Sequence, residues 1–310
     1  MSQRALVTGA NGFVGQWLCR TLREAGWEAV PSVAAAHPAW PGAIPCDIRS
    51  SEAVDGLLRE AGPVDCVFHL AAVSFAPRAG NDPAAAFDVN LQGTVRVAEA
   101  MIARQPGARL VFIGSGAAYG PPHFLPITED HPLDPGDPYA ISKCAADQYC
   151  AFLHEQRALD VVRLRPFNHT GPGQSPAFAL SSFARQIALI ELGRQEPVIH
   201  VGNLDVARDF THVADVARAY VLAASKADSG QAYNICSGQA QSLREAVERL
   251  QDMARVPVRI DCDPERMRAV DVREVVGSYA KFAEKTRWSP VIPFEQLLAD
   301  LLDYWRAAEA

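Results

Sequence analysis

Three side chains in the middle of the chain have the types and spacing needed for proton transfer to a carbonyl oxygen. Tyr139 and Lys143 lie four residues apart in the segment DPYAISK, at the start of a predicted helix, so they share one helix face. An ammonium group near a phenol stabilises the phenolate and lowers the pKa of the tyrosine. Ser115, in the turn GSGAAYG after the apolar run LVFI, adds a hydroxyl. A YxxxK pair alone is equally consistent with a solvated helix surface.

A second motif, TGANGFVG at residues 8–15, lies between a predicted strand and a predicted helix. Gly9, Gly12 and Gly15 give a GxxGxxG spacing. Glycines permit a tight turn, let the backbone approach a pyrophosphate and allow close helix–strand packing, and the helix N-terminus offers N–H groups to the phosphates. A glycine-rich turn without a ligand is the alternative, but the strand–turn–helix context favours a dinucleotide site.

The residues that would recognise the adenosine half of a dinucleotide are less distinctive. Asp47 follows the third predicted strand and could accept a hydrogen bond from an adenine amino group, or it could cap a helix. A ribose-binding acid is expected about 20 residues after the glycines. The sequence there is VPSVAAAHP, residues 30–38, with neither a carboxylate nor an arginine. NADPH and NADH are therefore both open as the cofactor.

The elements that must position these groups alternate between short apolar strands and amphipathic helices. Strands are predicted at 4–8, 27–30, 43–46, 66–72, 109–113, 160–165, 197–202 and 231–236, and helices at 12–25, 50–61, 84–103, 139–157, 181–193, 213–225 and 294–308. Such alternation implies right-handed crossovers and a parallel sheet covered on both faces. We predict an α/β fold: a Rossmann-type doubly wound parallel sheet with a smaller mixed α/β substrate-binding lobe.

Composition limits the possible functions further. The 310 residues are 49% hydrophobic and 21% charged, with no apolar run near the roughly 20 residues that a membrane span needs. The N-terminus lacks a signal-peptide pattern, and seven cysteines without a CxxC pair suit a reducing cytosol better than a disulfide framework or a zinc site. A net charge of −7 gives no reason to expect nucleic acid. We expect a cytoplasmic protein with no membrane, nucleic-acid or metal partner.

The Ser–Tyr–Lys set, together with the glycine motif about 125 residues earlier, resembles the extended branch of the short-chain dehydrogenase/reductases over essentially the whole chain. The resemblance implies that Ser115, Tyr139 and Lys143 are catalytic and that Lys143 also holds the nicotinamide ribose. It also covers HLAA at 69–72, beside the nicotinamide in the family, and FDVNLQGT. The implied dinucleotide-binding residues are Gly9, Asn11, Gly12, Phe13, Val14, Gly15, Asp47, Ile48, Leu70, Ala71, Ala72, Asn90, Tyr139 and Lys143.

Three later segments, RPFNHTGPGQ, GNLDVARDFTHVADVARAY and DPERMRAVDVREVVGS, resemble the GDP-mannose 4,6-dehydratases and GDP-6-deoxy-4-ketomannose reductases. CSGQ, ERMRAV and VVGSYAKF look most like the reductases, which form GDP-D-rhamnose. The resemblance implies that Asn168 contacts the sugar or its phosphates, that Arg208 and Arg268 clamp the diphosphate, and that Asp271 lies near the guanine. Isolated arginines are more commonly solvated surface charges.

Two further polar side chains bear on the substrate. Ser74 could place the sugar or cap a helix. Gln186 stands where the dehydratases are expected to have a basic residue on the guanine side, which leaves the base open. Residues 1–166 and 207–236 would form the dinucleotide-binding domain, and residues 167–206 and 237–310 the nucleotide-sugar-binding lobe.

Ala117 separates the candidate reactions. In the dehydratase pattern a glutamate stands at this position, takes the C5 proton and helps water leave from C6, whereas a methyl group accepts no proton. Related reductases commonly keep an acidic residue there, so Ala117 departs from them as well. We expect reduction of the C4 keto group of a GDP-linked 4-keto-6-deoxyhexose, with rhamno and talo products both open. A nucleotide-sugar 4-epimerase, a 4,6-dehydratase and a non-catalytic dinucleotide sensor are the alternatives.

Apolar residues on several faces of two predicted helices bear on assembly. Phe87 and Val97 lie in the helix at 84–103, and Tyr149 and Phe152 lie in the helix at 139–157. Family members pair through the corresponding helices, so the resemblance implies a homodimer or a tetramer.

Overall fold

Thirteen strands are found in residues 2–74, 76–264 and 272–310, which are the residues that the computed structural model describes, apart from the side chain of Arg78. They are β1 (Arg4–Thr8), β2 (Glu28–Val33), β3 (Ile44–Pro45), β4 (Cys66–His69), β5 (Arg109–Ile113), β6 (Val161–Pro166), β7 (Asn168–Thr170), β8 (Val198–Val201), β9 (Ala207–His212), β10 (Ala232–Ile235), β11 (Ala240–Ser242), β12 (Arg259–Cys262) and β13 (Glu274–Val275).

The helices lie between these strands. They are α1 (Phe13–Glu24), α2 (Ser51–Ala61), α3 (Ala76–Asn81), α4 (Pro83–Phe87), α5 (Gly93–Arg104), α6 (Pro138–Arg157), α7 (Ala179–Glu191), α8 (Val213–Lys226), α9 (Leu243–Asp252), α10 (Ala280–Thr286) and α11 (Phe294–Glu309). One π-helical turn, Asp88–Gln92, joins α4 to α5, and a 3₁₀ turn, Gly116–Tyr119, follows β5. None of the described helices is long and apolar enough to cross a bilayer.

Seven strands form one parallel sheet in the order β10-β6-β5-β4-β1-β2-β3. The chain first builds outwards from β1 through β2 and β3, and then returns to add β4, β5, β6 and β10 on the other side. The order therefore reverses between β1 and β4, and ligands of doubly wound sheets bind in the crevice at such a point. The predicted Rossmann-type sheet is confirmed.

Both faces of the central sheet are covered by helices. Within β1, Val7 packs into the layer that contains residues of α1 and α8, whereas Leu6 packs into the layer that contains residues of α2, α5 and α6. Successive strand residues point to opposite faces, and here both faces are buried. This is why the central strands read as continuous apolar runs instead of alternating with polar residues.

The second unit has its own hydrophobic core and two small sheets. Residues of α7, α9 and α11 pack together, and β8 pairs in parallel with β12 beside them. A four-stranded sheet joins β9 to β7, β11 and β13. The segment 207–236 is thus divided, because β9 pairs in this second sheet whereas β10 joins the central sheet. The proposed domain boundaries stay a prediction.

A buried charge network ties α6 to the central sheet. The Asp147 carboxylate, on α6, accepts hydrogen bonds from Arg163 Nη1 (2.7 Å) and Arg165 Nε (3.1 Å), both on β6. Arg165 Nη1 also donates to the Tyr119 hydroxyl (3.0 Å), which donates to Asn234 Oδ1 (2.7 Å) on β10. Asp147 lies one helical turn beyond Lys143, so this network holds the helix segment that carries the predicted catalytic pair.

Candidate active site

A cavity of about 1390 Å³ opens at the carboxyl ends of the central strands and extends to the second unit. Seventeen of the residues that we predicted for catalysis, dinucleotide binding or substrate binding line it. They are Gly9, Asn11, Gly12, Phe13, Val14, Gly15, Asp47, Ile48, Leu70, Ala71, Ala72, Ser74, Ser115, Tyr139, Lys143, Asn168 and Arg208. Arg268 and Asp271 lie outside the described residues, and Asn90 does not line the cavity.

The glycine turn between β1 and α1 leaves no room for side chains. Gly9 has φ +69°, and a Cβ added there would lie 2.9 Å from Ala71 N. A Cβ on Gly15 would lie only 2.3 Å from Gly9 O, so α1 packs directly against the turn. Gly12 precedes α1 and has no side chain to cap it. The first N–H groups of α1 are therefore available to an anion in the cavity.

The segment after β4 is held against this turn by Thr8 at the end of β1. The Thr8 Oγ1 accepts hydrogen bonds from the backbone N–H groups of Leu70 and Ala71, each at 3.2 Å. It also hydrogen-bonds His69 Nδ1 at 2.9 Å. One buried hydroxyl thus fixes the HLAA segment beside the glycine turn.

Asn90 has a supporting position instead of the predicted contact with the dinucleotide. Its Oδ1 accepts from Val73 N (2.7 Å), and its Nδ2 donates to Val73 O (3.1 Å) and to Ser142 Oγ (2.9 Å). The π-helical turn that contains Asn90 directs this buried amide at the chain after β4 and at α6. The residue therefore positions the cavity wall from behind.

At the β2–β3 end of the cavity the wall carries an ionised carboxylate. Asp47 accepts hydrogen bonds from Arg49 N (3.0 Å) and Arg49 Nη2 (2.6 Å), and these bonds lower the pKa of the Asp47 carboxyl. Ser32 and Ala34, at the end of β2, line the same region. Arg49, which the sequence analysis missed, is a cation on this wall. Its ion pair with Asp47, two residues earlier in the chain, holds it there.

The predicted catalytic side chains meet at the other end. Ser115 caps the 3₁₀ turn, where its Oγ accepts from Ala117 N at 3.1 Å, and its side chain hydrogen-bonds the phenol of Tyr139. Burial raises the pKa of Tyr139, while the hydrogen bond to Ser115 opposes the rise. The sequence-based expectation of a lowered pKa for Tyr139 is wrong, because burial has the largest effect on this phenol and raises its pKa.

Lys143 is buried, and its surroundings destabilise the charged form of its side chain. It is 3% exposed, its ammonium lies 4.7 Å from the centroid of the Phe112 ring, and burial lowers its pKa to about 8. Cys150 and Asp147 oppose this change. Burial, assisted by the charge of Lys143, also lowers the pKa of His69 to about 3, so the histidine is neutral and serves as a hydrogen-bonding spacer.

The family follows once this geometry is compared with known proteins. Residues 5–236 match the NAD dependent epimerase/dehydratase family. The chain belongs to this family. It is 39% identical to the GDP-6-deoxy-D-mannose reductase of Pseudomonas aeruginosa, over 99% of this chain and 98% of that protein. It is 31% identical to the UDP-glucose 4-epimerase of Mycolicibacterium smegmatis, over 98% of both chains.

A solved structure gives the same relationship. The structure described as RMD from Pseudomonas aeruginosa complexed with NADPH superposes with a TM-score of 0.90 and 38% identity, covering 99% of this chain and 100% of the other. The NAD complex of the Thermus thermophilus UDP-glucose 4-epimerase superposes with a TM-score of 0.87 at 27% identity, again over 99% of this chain and 100% of the other. The epimerase/dehydratase fold therefore extends over the whole chain.

On the far side of the cavity, residues of the second unit contribute polar groups to the wall. Asn168, on β7, is exposed on the wall. Ser74, which follows β4 of the central sheet, is exposed on the wall as well. Arg208, on β9, donates from Nη1 to Ala207 O (2.8 Å) and Val272 O (2.7 Å). These bonds hold the guanidinium at the cavity wall.

Gln186 is not on the cavity wall, contrary to its predicted position near the base. Its Oε1 accepts from His200 N (2.8 Å) and its Nε2 donates to His200 O (3.1 Å), so the amide satisfies the backbone of β8 from α7. His200 lines the cavity instead, as does His169, whose ring stacks on Phe13 at a centroid distance of 6.2 Å. Neither histidine had a sequence signal, because the fold brings each of them to the cavity.

Ala117 has an exposed methyl group on the cavity wall, and none of the described residues brings a carboxylate to the position of the dehydratase glutamate. Among the described residues, the carboxylates that line the cavity are Asp47, Asp82 and Asp137. Asp47 pairs with Arg49, while Asp82 and Asp137 cap α4 and α6 through Ala85 N (3.0 Å) and Ala140 N (2.8 Å). Each is committed to a contact within the protein.

Gly15→Ala is expected to lower NADPH affinity by about tenfold or more, because the new methyl group must displace the Gly9 carbonyl and open the turn. Fluorescence titration with NADPH measures the change. Gly56→Ala is the matched control, since Gly56 is also inside a helix and a Cβ there meets nothing within 4 Å. That control should bind NADPH normally and gain about 0.5–1 kcal/mol of stability. Wild-type affinity in Gly15→Ala would contradict the assignment of the turn.

Proposed function

We propose that the protein is an NAD(P)H-dependent oxidoreductase that reduces the C4 keto group of GDP-4-keto-6-deoxy-D-mannose to form GDP-D-rhamnose. The observation that carries this proposal is the meeting of Ser115, Tyr139 and Lys143 on the cavity that also contains the glycine turn, with a methyl group at Ala117. Similarity to the GDP-6-deoxy-D-mannose reductase over 99% of the chain supports the substrate class.

The cavity fits a reduced nicotinamide dinucleotide, which when bound would supply the hydride. The glycine turn and the N-terminus of α1 would hold the pyrophosphate, and Asp47 and Ile48 would contact the adenosine. The segment Leu70 to Ala72 would lie along the nicotinamide half. We take NADPH as the working cofactor because the relative named RMD was solved with it. Ser32 and Ala34 at the end of β2 offer no carboxylate that would repel a 2′-phosphate.

The chain's own groups are arranged for proton transfer to the oxygen that becomes the C4 hydroxyl. Tyr139, whose raised pKa keeps the phenol protonated at neutral pH, would donate the proton. Ser115 would hydrogen-bond the same oxygen. The buried ammonium of Lys143 would stabilise the phenolate left after transfer. Reduction of the C4 keto group requires no base that removes a C5 proton, and this agrees with the methyl group at Ala117 in place of a glutamate.

The diphosphate and the sugar would contact the second unit. Arg208 would bind a phosphate through its guanidinium, and Asn168 would hydrogen-bond the sugar or its phosphates. Ser74, which follows β4 of the central sheet, would help to place the sugar. We retain Arg268 as the second diphosphate ligand and Asp271 as the guanine-side residue on the resemblance alone. Anionic phosphates would thus be held at both ends of a cavity in a chain of net charge −7.

We further propose a cytoplasmic homodimer or tetramer that associates through α6. Phe152 and Ile141 are 51% and 40% exposed on this helix, and the ring of Tyr149 stacks on Phe152. Val97, which we had considered for the same surface, is buried in the core and is not available. The free thiols of all seven cysteines support a reducing compartment.

The deciding experiment supplies GDP-4-keto-6-deoxymannose with NADPH and with NADH, follows cofactor oxidation at 340 nm (about the absorbance maximum of a reduced nicotinamide), and identifies the product by NMR. We expect oxidation of NADPH and formation of GDP-D-rhamnose. Parallel incubations with GDP-mannose and UDP-glucose should give no 4-keto sugar and no C4 epimer. A dehydrated or epimerised product would support the alternative reactions of the family instead.

Tyr139→Phe should lower turnover by about two orders of magnitude or more, because the proton donor is lost. NADPH affinity should change little, since the ring remains in place. Steady-state kinetics and a binding titration on the same preparation measure the two effects. Turnover close to that of the wild type would exclude Tyr139 as the proton donor.

The pH dependence of kcat/KM should show a fall centred near pH 8. Lys143, with a pKa lowered to about 8, carries its charge below this pH and loses it above, and the phenolate then loses its stabilising cation. Tyr139 has a raised pKa and so stays protonated across this range. We therefore expect a flat profile between about pH 6 and 7 and a decline above pH 8. A profile flat to pH 10 would contradict this role of Lys143.

A further inference from the structure

Tyr220 has a buried hydroxyl without a hydrogen-bond partner among the described residues. The residue lies on α8, is 0% exposed, and its hydroxyl oxygen is inaccessible to solvent. The two other fully buried tyrosines are satisfied: Tyr119 bonds Asn234 and Arg165, and the Tyr233 hydroxyl accepts from Asp228 N at 3.2 Å. Buried polar groups are normally paired, and phenylalanine would fill the same space without this cost.

The position of Tyr220 connects it with the reactive end of the cavity. Tyr220 is one of the residues that line the cavity, together with Gly114, which follows β5, and Pro166, at the end of β6. Burial raises the pKa of Tyr220, and the neighbouring phenol of Tyr139 raises it further. Tyr220 is therefore near the predicted proton donor and remains a neutral hydroxyl.

The direction of the dinucleotide follows from the order of the sheet. The carboxylate of Asp47 marks the adenosine end, over β2 and β3, and the glycine turn after β1 marks the pyrophosphate. The nicotinamide half must then extend over β4, β5 and β6, where Tyr220 lies. Its carboxamide carries one acceptor and two donor hydrogens, so it can pair with a phenolic hydroxyl in either direction.

The substrate is a less suitable partner for this hydroxyl. The groups proposed to hold the substrate, Asn168 and Arg208, come from β7 and β9 of the second sheet. Tyr220 comes from the layer of the central sheet that also contains residues of α1, the helix that begins at the pyrophosphate site. We propose that the Tyr220 hydroxyl hydrogen-bonds the carboxamide of the bound nicotinamide, which makes Tyr220 a cofactor-binding residue satisfied only in the loaded enzyme.

Tyr220→Phe tests the inference through binding and stability, without an activity measurement. The variant should bind NADPH about three- to tenfold more weakly, the amount that one neutral hydrogen bond contributes. It should bind 2′-phospho-ADP-ribose, which lacks the nicotinamide, as the wild type does. The melting temperature of the ligand-free variant should equal or exceed that of the wild type, because an unpaired buried hydroxyl has been removed.

Tyr233→Phe is the matched control. It removes the hydroxyl of another buried tyrosine, but this hydroxyl accepts from Asp228 N and does not line the cavity. The control should therefore lower the melting temperature and leave NADPH affinity unchanged. Tyr220→Phe is thus expected to change NADPH affinity without lowering the melting temperature, whereas Tyr233→Phe is expected to lower the melting temperature without changing NADPH affinity.

Three results would overturn the inference: unchanged NADPH affinity in Tyr220→Phe, an equal loss for both ligands, or a lower melting temperature of the ligand-free variant. A raised KM for the sugar nucleotide with unchanged NADPH affinity would assign the hydroxyl to the substrate instead. The inference depends only on the dinucleotide part of the proposed function. Failure of the wild type to reduce GDP-4-keto-6-deoxymannose would reject the proposed reaction and leave this binding comparison intact.

Discussion

The pairing of one buried carboxylate with two arginines fixes the position of α6, the helix that carries Tyr139 and Lys143. Asp147 is 1% exposed, and it can remain charged there only because Arg163 and Arg165 on β6 donate to both of its oxygens. Charge pairs of this kind are sensitive to distance, so the position of α6 on the sheet is closely defined. Tyr139 and Lys143 line the cavity, and they lie on the two turns of α6 that precede Asp147.

Burial then determines the chemistry of these groups. The same low-dielectric surroundings raise the pKa of Tyr139 and lower that of Lys143 to about 8, so at neutral pH the phenol keeps its proton and the lysine still carries its charge. A phenol that keeps its proton at neutral pH is suited to donating it to a developing alkoxide. An ammonium in the same surroundings has a stronger effect on the phenolate than it would have in water. The site is therefore suited to reduction, in which the protein supplies a proton.

The two units contribute different parts of one cavity. The central sheet supplies the glycine turn and Ser115 at its strand ends, and the helices α6 and α8 that cover the sheet supply Tyr139, Lys143 and Tyr220. The second unit supplies Asn168 and Arg208 across from them. Carboxylates are also present on the wall, but each is used as a helix cap or in an ion pair. Removal of a C5 proton is therefore disfavoured in two ways: these carboxylates already have partners within the protein, and residue 117 has a methyl group.

Much of the fold and part of the site could be predicted from local patterns. The strand RLVFI coincides with β5, and the helix predicted at 139–157 begins one residue earlier as α6. Strands such as β7, β11 and β13 were missed, because two or three residues give no period. β9 was missed because ARDFTH is mostly polar, and its pairing comes from distant segments.

The sequence by itself determined which residues could bind a dinucleotide and transfer a proton, because the glycine spacing and the YxxxK spacing act through neighbours in one turn or helix. The tertiary structure decided which polar groups are free to act. Asn90 was expected at the dinucleotide and Gln186 at a guanine-side position, but each side chain accepts a hydrogen bond from the backbone of a neighbouring segment, 17 and 14 residues away in the chain. Tyr220 looked like part of an apolar helix, but it lines the cavity and its buried hydroxyl has no hydrogen-bond partner among the described residues. Burial and pairing depend on distant segments meeting, and no local pattern contains that information.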